Sequence, residues 1–195
     1  MPSFILASQS PRRKTLLEWA EIPFEIIVSD TDESYPNSIA IEEVPVYIAK
    51  NKALAVKELI LSTKPALANW CIIAADTVVV LDQKIIGKPS NKQEAVDSLL
   101  ALSGQTHKVI TGVVLLHQDN ELSFSETTLV EFHDLTPEQI EFYVDKYQPY
   151  DKAGGYAIQE WIGVVGIKKI TGDFYNVMGL PVSKIVQKIK QLNLS

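Results

Sequence analysis

The run Cys71-Ile72-Ile73-Ala74-Ala75-Asp76-Thr77-Val78-Val79-Val80-Leu81 constrains this chain more than any other stretch. It is the most strand-like segment, yet a carboxylate stands in its middle. A charge among apolar neighbours loses its hydration unless a partner replaces it. Two readings of Asp76 follow. Either a lysine or backbone donors hold it as a structural group, or it is a metal ligand or general base on a strand within a cleft. Cys71 is the chain's one cysteine, which excludes an internal disulfide framework and a cysteine-rich zinc site. At the head of an apolar run with no histidine nearby, it reads as a packing thiol.

The remaining segments surround this strand with alternating elements. Ser3 to Ala7 reads as a buried strand. Ser10-Pro11 starts a helix, because serine accepts from free N–H groups at the N-cap and proline suits the first helical position. Phe24 to Val28 is a strand, and Ser29 to Asn37 a polar loop with Asp30, Asp32 and Glu33. A long helix is expected from Glu43 to Leu61. Asp82-Gln83 turns into a short strand at Lys84 to Ile86. Ser90-Asn91-Lys92-Gln93 has capping-box spacing and opens a helix ending near Gly104. Thr106 to His117 and Leu122 to Asp134 form a hairpin about Gln118-Asp119-Asn120. Thr136-Pro137-Glu138-Gln139 caps a helix to Tyr147, Pro149 to Gln159 is irregular, and Ile162 to Ile170 reads as a strand. Pro181 opens the last helix. The pattern predicts one α/β domain over residues 1–195, with a mixed sheet bent into two lobes around a cleft.

Composition narrows the class of ligand. With 195 residues and 46% hydrophobic content, the chain can bury its own core. A net charge of −6 argues against a general nucleic-acid or anionic-membrane surface. No apolar run approaches the roughly 20 residues of a membrane span, and Met1 to Ala7 resemble a strand and not a signal peptide. A cytoplasmic protein is expected. None of this excludes one small polyanion bound by a local cluster of cations.

Such clusters are present. Ala7-Ser8-Gln9-Ser10-Pro11-Arg12-Arg13 lies between a strand and a helix. Two hydroxyls, free helix N–H groups and two guanidiniums at one helix start favour phosphate, against the alternative of a capped helix with solvated arginines. Lys52 and Lys88 are surface charges if taken singly, but with the arginines they suit a triphosphate. Asp32-Glu33 matters only if folding brings it to Asp76, where carboxylates could share a hard divalent cation. In Asp151-Lys152-Ala153-Gly154-Gly155-Tyr156-Ala157-Ile158-Gln159 the glycines permit positive φ or close backbone approach, or simply form a structural turn. Gln159 offers a donor and an acceptor that match a pyrimidine edge. His107 is better placed to orient a loop than to attack a substrate. The chain lacks Gly-x-x-x-x-Gly-Lys-Ser/Thr, so phosphate-loop motor chemistry is not expected.

Taken in order, Ser8-Gln9-Ser10-Pro11-Arg12-Arg13, Ala75-Asp76-Thr77, Gly87-Lys88-Pro89, Gly104-Gln105-Thr106-His107, Asp151 to Gln159 and Gly179-Leu180-Pro181 resemble the Maf family over essentially the whole chain. The resemblance implies a fold like that of the inosine triphosphate pyrophosphatases, a divalent metal (Mg²⁺ or Mn²⁺) and a homodimer. It implies cleavage of a nucleoside triphosphate between the α and β phosphates. Asp76 is then the proton acceptor, and Arg12, Thr77 and Gln159 match the base-specificity positions of the dTTP/UTP branch. The branch that prefers 7-methyl-GTP has tryptophan, glutamine and glutamate there. Glu160 departs from the family, in which glycine is common at this place. On this basis Glu33 and Asp76 are expected to hold the metal. Ser8, Ser10, Arg12, Arg13, Lys52, Thr77, Lys88, Lys152 and Gln159 are expected to bind the substrate. A nucleotide-binding regulator of cell division without turnover is the alternative from another class.

Overall fold

The computed structural model describes residues 4–192. Its elements follow the chain as β1 (Phe4–Leu6), α1 (Pro11–Trp19), β2 (Phe24–Ile26), α2 (Val44–Thr63), β3 (Cys71–Leu81), β4 (Lys84–Ile86) and α3 (Lys92–Leu102). Then come β5 (Thr106–His117), β6 (Asn120–Phe132), α4 (Pro137–Tyr147), α5 (Trp161–Gly166), β7 (Ile167–Thr171), α6 (Phe174–Met178) and α7 (Val182–Gln191). The expected strand over Ser3 to Ala7 is found from Phe4; Ser3 lies outside the described residues.

The sheet is mixed, as expected, with strand order β2-β1-β3-β5-β6-β7 and β4 paired to β3. β1 runs parallel to both β2 and β3, with Leu6 opposite Ile26 and Ile73. β4 runs antiparallel to β3 and β7 antiparallel to β6. Asp82 and Gln83 both have positive φ (48° and 62°), the geometry that lets a two-residue turn follow strand twist. β5 and β6 are neighbours joined by two residues, a link too short for a parallel crossover, so they form the expected hairpin.

Two compact units are distinguished along the chain. The first comprises Met1–Asp76, Thr111–Glu126 and Gly179–Ser195. Its core joins Ile5 and Ala7 of the β1 region to Ala49, Ala53, Val56 and Ile60 of α2, with Ile72, Ala74, Val114 and Leu116. Helix α2 begins against β5 at Gly112, where a Cβ would lie 2.2 Å from the Val46 nitrogen. Only glycine allows the helix to seat this closely, and the seating fixes the height at which Lys52 leaves the helix. The second unit comprises Thr77–Ile110 and Thr127–Met178. Leu99 and Leu102 of α3, Phe132 of β6, and Ile140, Tyr143 and Val144 of α4 fill its core together with Tyr156 and Ile162.

The caps are local chemistry. Ser10 caps α1, and Thr136 with Gln139 forms a reciprocal capping box on α4. On α3 the cap sits one residue later than the spacing predicts. Asn91 accepts from the Glu94 amide, while the Glu94 carboxylate accepts from the Ser90 amide.

The expected strand Ile162 to Ile170 is corrected by the structure to helix α5 followed by β7. In Trp161-Ile162-Gly163-Val164-Val165-Gly166 an alternating pattern would bury 162, 164 and 166 together. Instead Ile162 is fully buried while Val164 is 80% exposed. Burial returns at Gly166, four residues on, which is helical spacing. Helix α6 was not expected at all; Asp173 Oδ1 accepts from the Tyr175 amide at 2.7 Å where it begins. Among the described residues, no helix is long and apolar enough to cross a membrane.

Candidate functional site

The first unit gathers most of the predicted charged residues. Ser8 follows β1, and its hydroxyl accepts from the Ser10 amide at 3.2 Å and from Arg13 Nη1 at 3.1 Å. Arg13 Nε donates to the Gly179 carbonyl at 2.8 Å. The guanidinium is thus held from two sides, with Ser10 capping the helix that carries it. Burial pushes the Arg13 pKa down, the charges of Asp76 and Glu33 push it up, and neighbouring Arg12 pushes it down again. An arginine keeps its proton through such shifts, so Arg13 is a fixed buried cation. Arg12 is half-buried beside it.

Folding also resolves the acidic pair. Lys52 Nζ donates to Glu33 Oε1 at 2.7 Å and to Asp76 Oδ1 at 2.9 Å. Asp76 and Glu33 therefore converge on one cation. The Asp76 and Lys52 side chains are only 10% and 16% exposed, whereas Glu33 is 46% exposed. Asp32 is engaged locally: its carboxylate accepts from both the hydroxyl and the amide of Ser34, bonds that hold its pKa below the usual carboxylate range. The lysine-held reading of Asp76 describes its present partner, and the convergence of two carboxylates keeps the metal-ligand reading open.

The second unit places the remaining residues. Thr77 follows Asp76 on β3 and is half-buried. Lys88 is exposed on a depression of about 400 Å³ that it shares with Gly87, Pro89, Glu94, Asp97 and Ser98. The glycine turn closes against this loop. Gly154 and Gly155 take positive φ (71° and 70°), and the Gly154 amide donates to the Gly87 carbonyl at 3.0 Å. A Cβ on Gly154 would meet Val79 at 2.9 Å, so both expected uses of glycine occur here. Lys152 is buried, with its ammonium 2.8 Å from Asp151 and 3.5 Å from Glu160. Gln159 is exposed between buried Ile158 and half-buried Glu160.

His107, expected from the sequence to orient a loop, contacts Tyr156 of the glycine turn. Its Nε2 lies 2.7 Å from the Tyr156 hydroxyl, and burial lowers its pKa to about 4, so the ring is neutral. Phe132 packs edge-on against both rings. Burial raises the Cys71 thiol pKa to about 12, which suits a packing residue and not a nucleophile. Two features escaped the sequence. The Gly179 carbonyl aligns Arg13 from far along the chain, and Tyr143 reaches from α4 to the glycine turn, where its hydroxyl accepts from the Ala157 amide at 3.1 Å. No local pattern marks a backbone acceptor, and Tyr143 reads in sequence as one more apolar-face residue of α4.

Comparison with known proteins adds the family. The Maf-like protein family matches residues 3–192. A dTTP/UTP pyrophosphatase of Parabacteroides distasonis is 50% identical over 188 residues, covering 95% of this chain and 94% of the relative. One from Bacteroides thetaiotaomicron is 46% identical over 189 residues, covering 96% and 95%. Among solved structures, the Staphylococcus aureus Ham1 protein aligns at TM-score 0.44 and 13% identity over 68% of this chain and 72% of its own. An end-to-end match at half identity leaves no room for another assignment: this chain belongs to the Maf-like family.

Proposed function

We propose that this chain hydrolyses dTTP and UTP to the nucleoside monophosphate and pyrophosphate. End-to-end similarity to relatives named dTTP/UTP pyrophosphatase carries the reading. The geometry supports it: a buried carboxylate, a paired lysine and a braced arginine stand together in the first unit.

The chemistry assigned to these residues is as follows. A water oxygen attacks the α-phosphorus, the bond from that phosphorus to the bridging oxygen breaks, and pyrophosphate leaves with the electron pair. Asp76 takes the proton the water gives up. Arg13, presented by Ser8 and Gly179, and Lys52 with Lys88 and Lys152 offset the charge that builds on the phosphates. Ser10 and the α1 N-terminus add hydrogen-bond donors for phosphate oxygens. Thr77 and Gln159 are assigned to reading the pyrimidine edge, and Arg12 is assigned to base selection with them.

A divalent cation fits the acidic pair. Glu33 and Asp76 already point oxygens at one positive charge, the Lys52 ammonium. No cluster of three or more His, Cys, Asp or Glu capable of holding a metal occurs among the described residues. One or two carboxylates completed by substrate phosphates is the usual Mg²⁺ arrangement. Bound there, Mg²⁺ or Mn²⁺ supplies charge neutralisation at the phosphates. We further propose that residues 1–195 act as one Maf-like domain, as a homodimer, in the cytoplasm; sedimentation equilibrium tests the dimer.

Competing dTTP, UTP, CTP and 7-methyl-GTP in one assay with Mg²⁺ tests the function. Preference for dTTP and UTP is expected. Preference for 7-methyl-GTP would move the chain to the other branch, and tight binding without product would make it a regulator.

A further inference from the structure

The Glu160 side chain, at the start of α5, is tied on both oxygens. Oε2 accepts a hydrogen bond from the Tyr143 hydroxyl, and Oε1 lies 3.5 Å from the Lys152 ammonium. The Tyr143 hydroxyl in turn accepts from the Ala157 amide at 3.1 Å. Tyr143 is fully buried on α4, and the Lys152 side chain is 9% exposed. One carboxylate thus joins α4, the start of the glycine turn and the stretch that leads to Gln159.

The backbone of Glu160 is fixed as well. It stands at the N-cap of α5, where the Gly163 amide donates to its carbonyl at 2.9 Å. Behind it, a Cβ on Gly163 would fall 1.7 Å from the Ile158 carbonyl oxygen, so α5 presses directly on the residue before Gln159. Gln159 itself has no burial to orient it. Its backbone runs between buried Ile158 on one side and half-buried Glu160 on the other. Lys152, whose ammonium lies 2.8 Å from Asp151 and 3.5 Å from Glu160, adds a second tether on the same loop.

We infer that Glu160 is a specificity-determining positioning residue: through Tyr143 and Lys152 it holds the Gln159 amide in register with the base edge. The inference rests on the proposed role of Gln159 as a reader of pyrimidines. A side-chain amide that swings freely cannot discriminate a donor from an acceptor on the base, whereas one held in place can.

Steady-state kinetics with UTP, dTTP and CTP on wild type, Glu160→Ala, Glu160→Gln, Tyr143→Phe and the Glu160→Ala/Tyr143→Phe double variant test it. Losing the tether should raise KM for UTP and dTTP about tenfold in Glu160→Ala, with kcat within about twofold, and the UTP-over-CTP preference should fall by a similar factor. Glu160→Gln still accepts from Tyr143 and should recover most of the preference. The double variant should be no worse than the worse single, because both act through one linkage. An unchanged UTP-over-CTP preference in Glu160→Ala, at any cost in melting temperature, overturns the inference. Should that variant not fold, the decision passes to Tyr143→Phe, which removes the same hydrogen bond at constant shape. Wild-type protein inactive on every pyrimidine triphosphate would refute the proposed function itself; wild-type activity with unshifted selectivity in the variants refutes the inference alone.

Discussion

Replacing Lys52 with methionine removes the cation that two carboxylates share. The methionine stem fills similar volume, so packing is nearly kept. Asp76 loses a 2.9 Å charged hydrogen bond between side chains that are 10% and 16% exposed. Breaking a pair this buried from one side costs about 3 kcal/mol, the lower end of the range, because both side chains keep some contact with solvent. Glu33, at 46% exposure, regains water and adds at most about 1 kcal/mol. Against a typical domain stability of about 5–15 kcal/mol, the loss is large. Urea denaturation with chelator at pH 7.5 should therefore show a drop of about 3 kcal/mol. Titrating Mn²⁺ into both proteins completes the experiment. In wild type the cation competes with the ammonium for the same oxygens; in the methionine variant it does not. Mn²⁺ at a hundredfold excess over its Kd for Lys52→Met should stabilise that variant by about 2.7 kcal/mol, and the same concentration should stabilise wild type by less. A loss below about 1 kcal/mol, or equal Mn²⁺ stabilisation of the two proteins, would refute the claim that lysine and metal serve the same pair.

Other perturbations follow from the same contacts. Asp76→Asn keeps the shape but cannot take a proton, so kcat should fall about 10²–10⁴-fold with folding retained; full activity would remove Asp76 from its role. His107 has a folded pKa of about 4 against an ordinary 6.5, so the unfolded chain takes up the proton first as pH falls. Its contribution is complete above pH 6.5 and is lost progressively down to about pH 4; between pH 7.5 and 5.5 the loss is about 1 kcal/mol. Urea melts should show that slope in wild type and its absence in His107→Gln. Gly112→Ala places a Cβ 2.2 Å from the Val46 nitrogen and 2.3 Å from the Pro45 carbonyl carbon. Helix α2 must move, and stability should fall by more than about 3 kcal/mol; a change under about 1 kcal/mol in a denaturant melt would contradict the seating described for α2.

What could be read in advance divides along a physical line. Features set by a few neighbouring residues were legible: the Ser10 and Thr136 caps, the Asp82-Gln83 turn, the left-handed glycines and the buried strand around Asp76. Stretches whose local preferences are balanced were not. Trp161 to Gly166 is apolar on every side, so no period in the sequence separates helix from strand, and the close seating of Gly163 on Ile158 is seen only in the fold. Features made by distant partners were out of reach as geometry. Lys52 meets Glu33 and Asp76 across 19 and 24 residues, and Arg13 meets Gly179 across 166. The candidate residues were named from pattern and resemblance, but that Glu33 meets Lys52 while Asp32 accepts from Ser34 is visible only in the folded chain. The link between Glu160 and Tyr143 likewise spans 17 residues and has no local signal.

The most direct test of the account is the position of the broken bond. Turnover of UTP in ¹⁸O-labelled water, with Mg²⁺ present and products weighed by mass spectrometry, locates the attacked phosphorus. Attack at the α-phosphorus predicts uridine monophosphate carrying one ¹⁸O and unlabelled pyrophosphate. Label in the pyrophosphate, or uridine diphosphate with labelled phosphate, would contradict it.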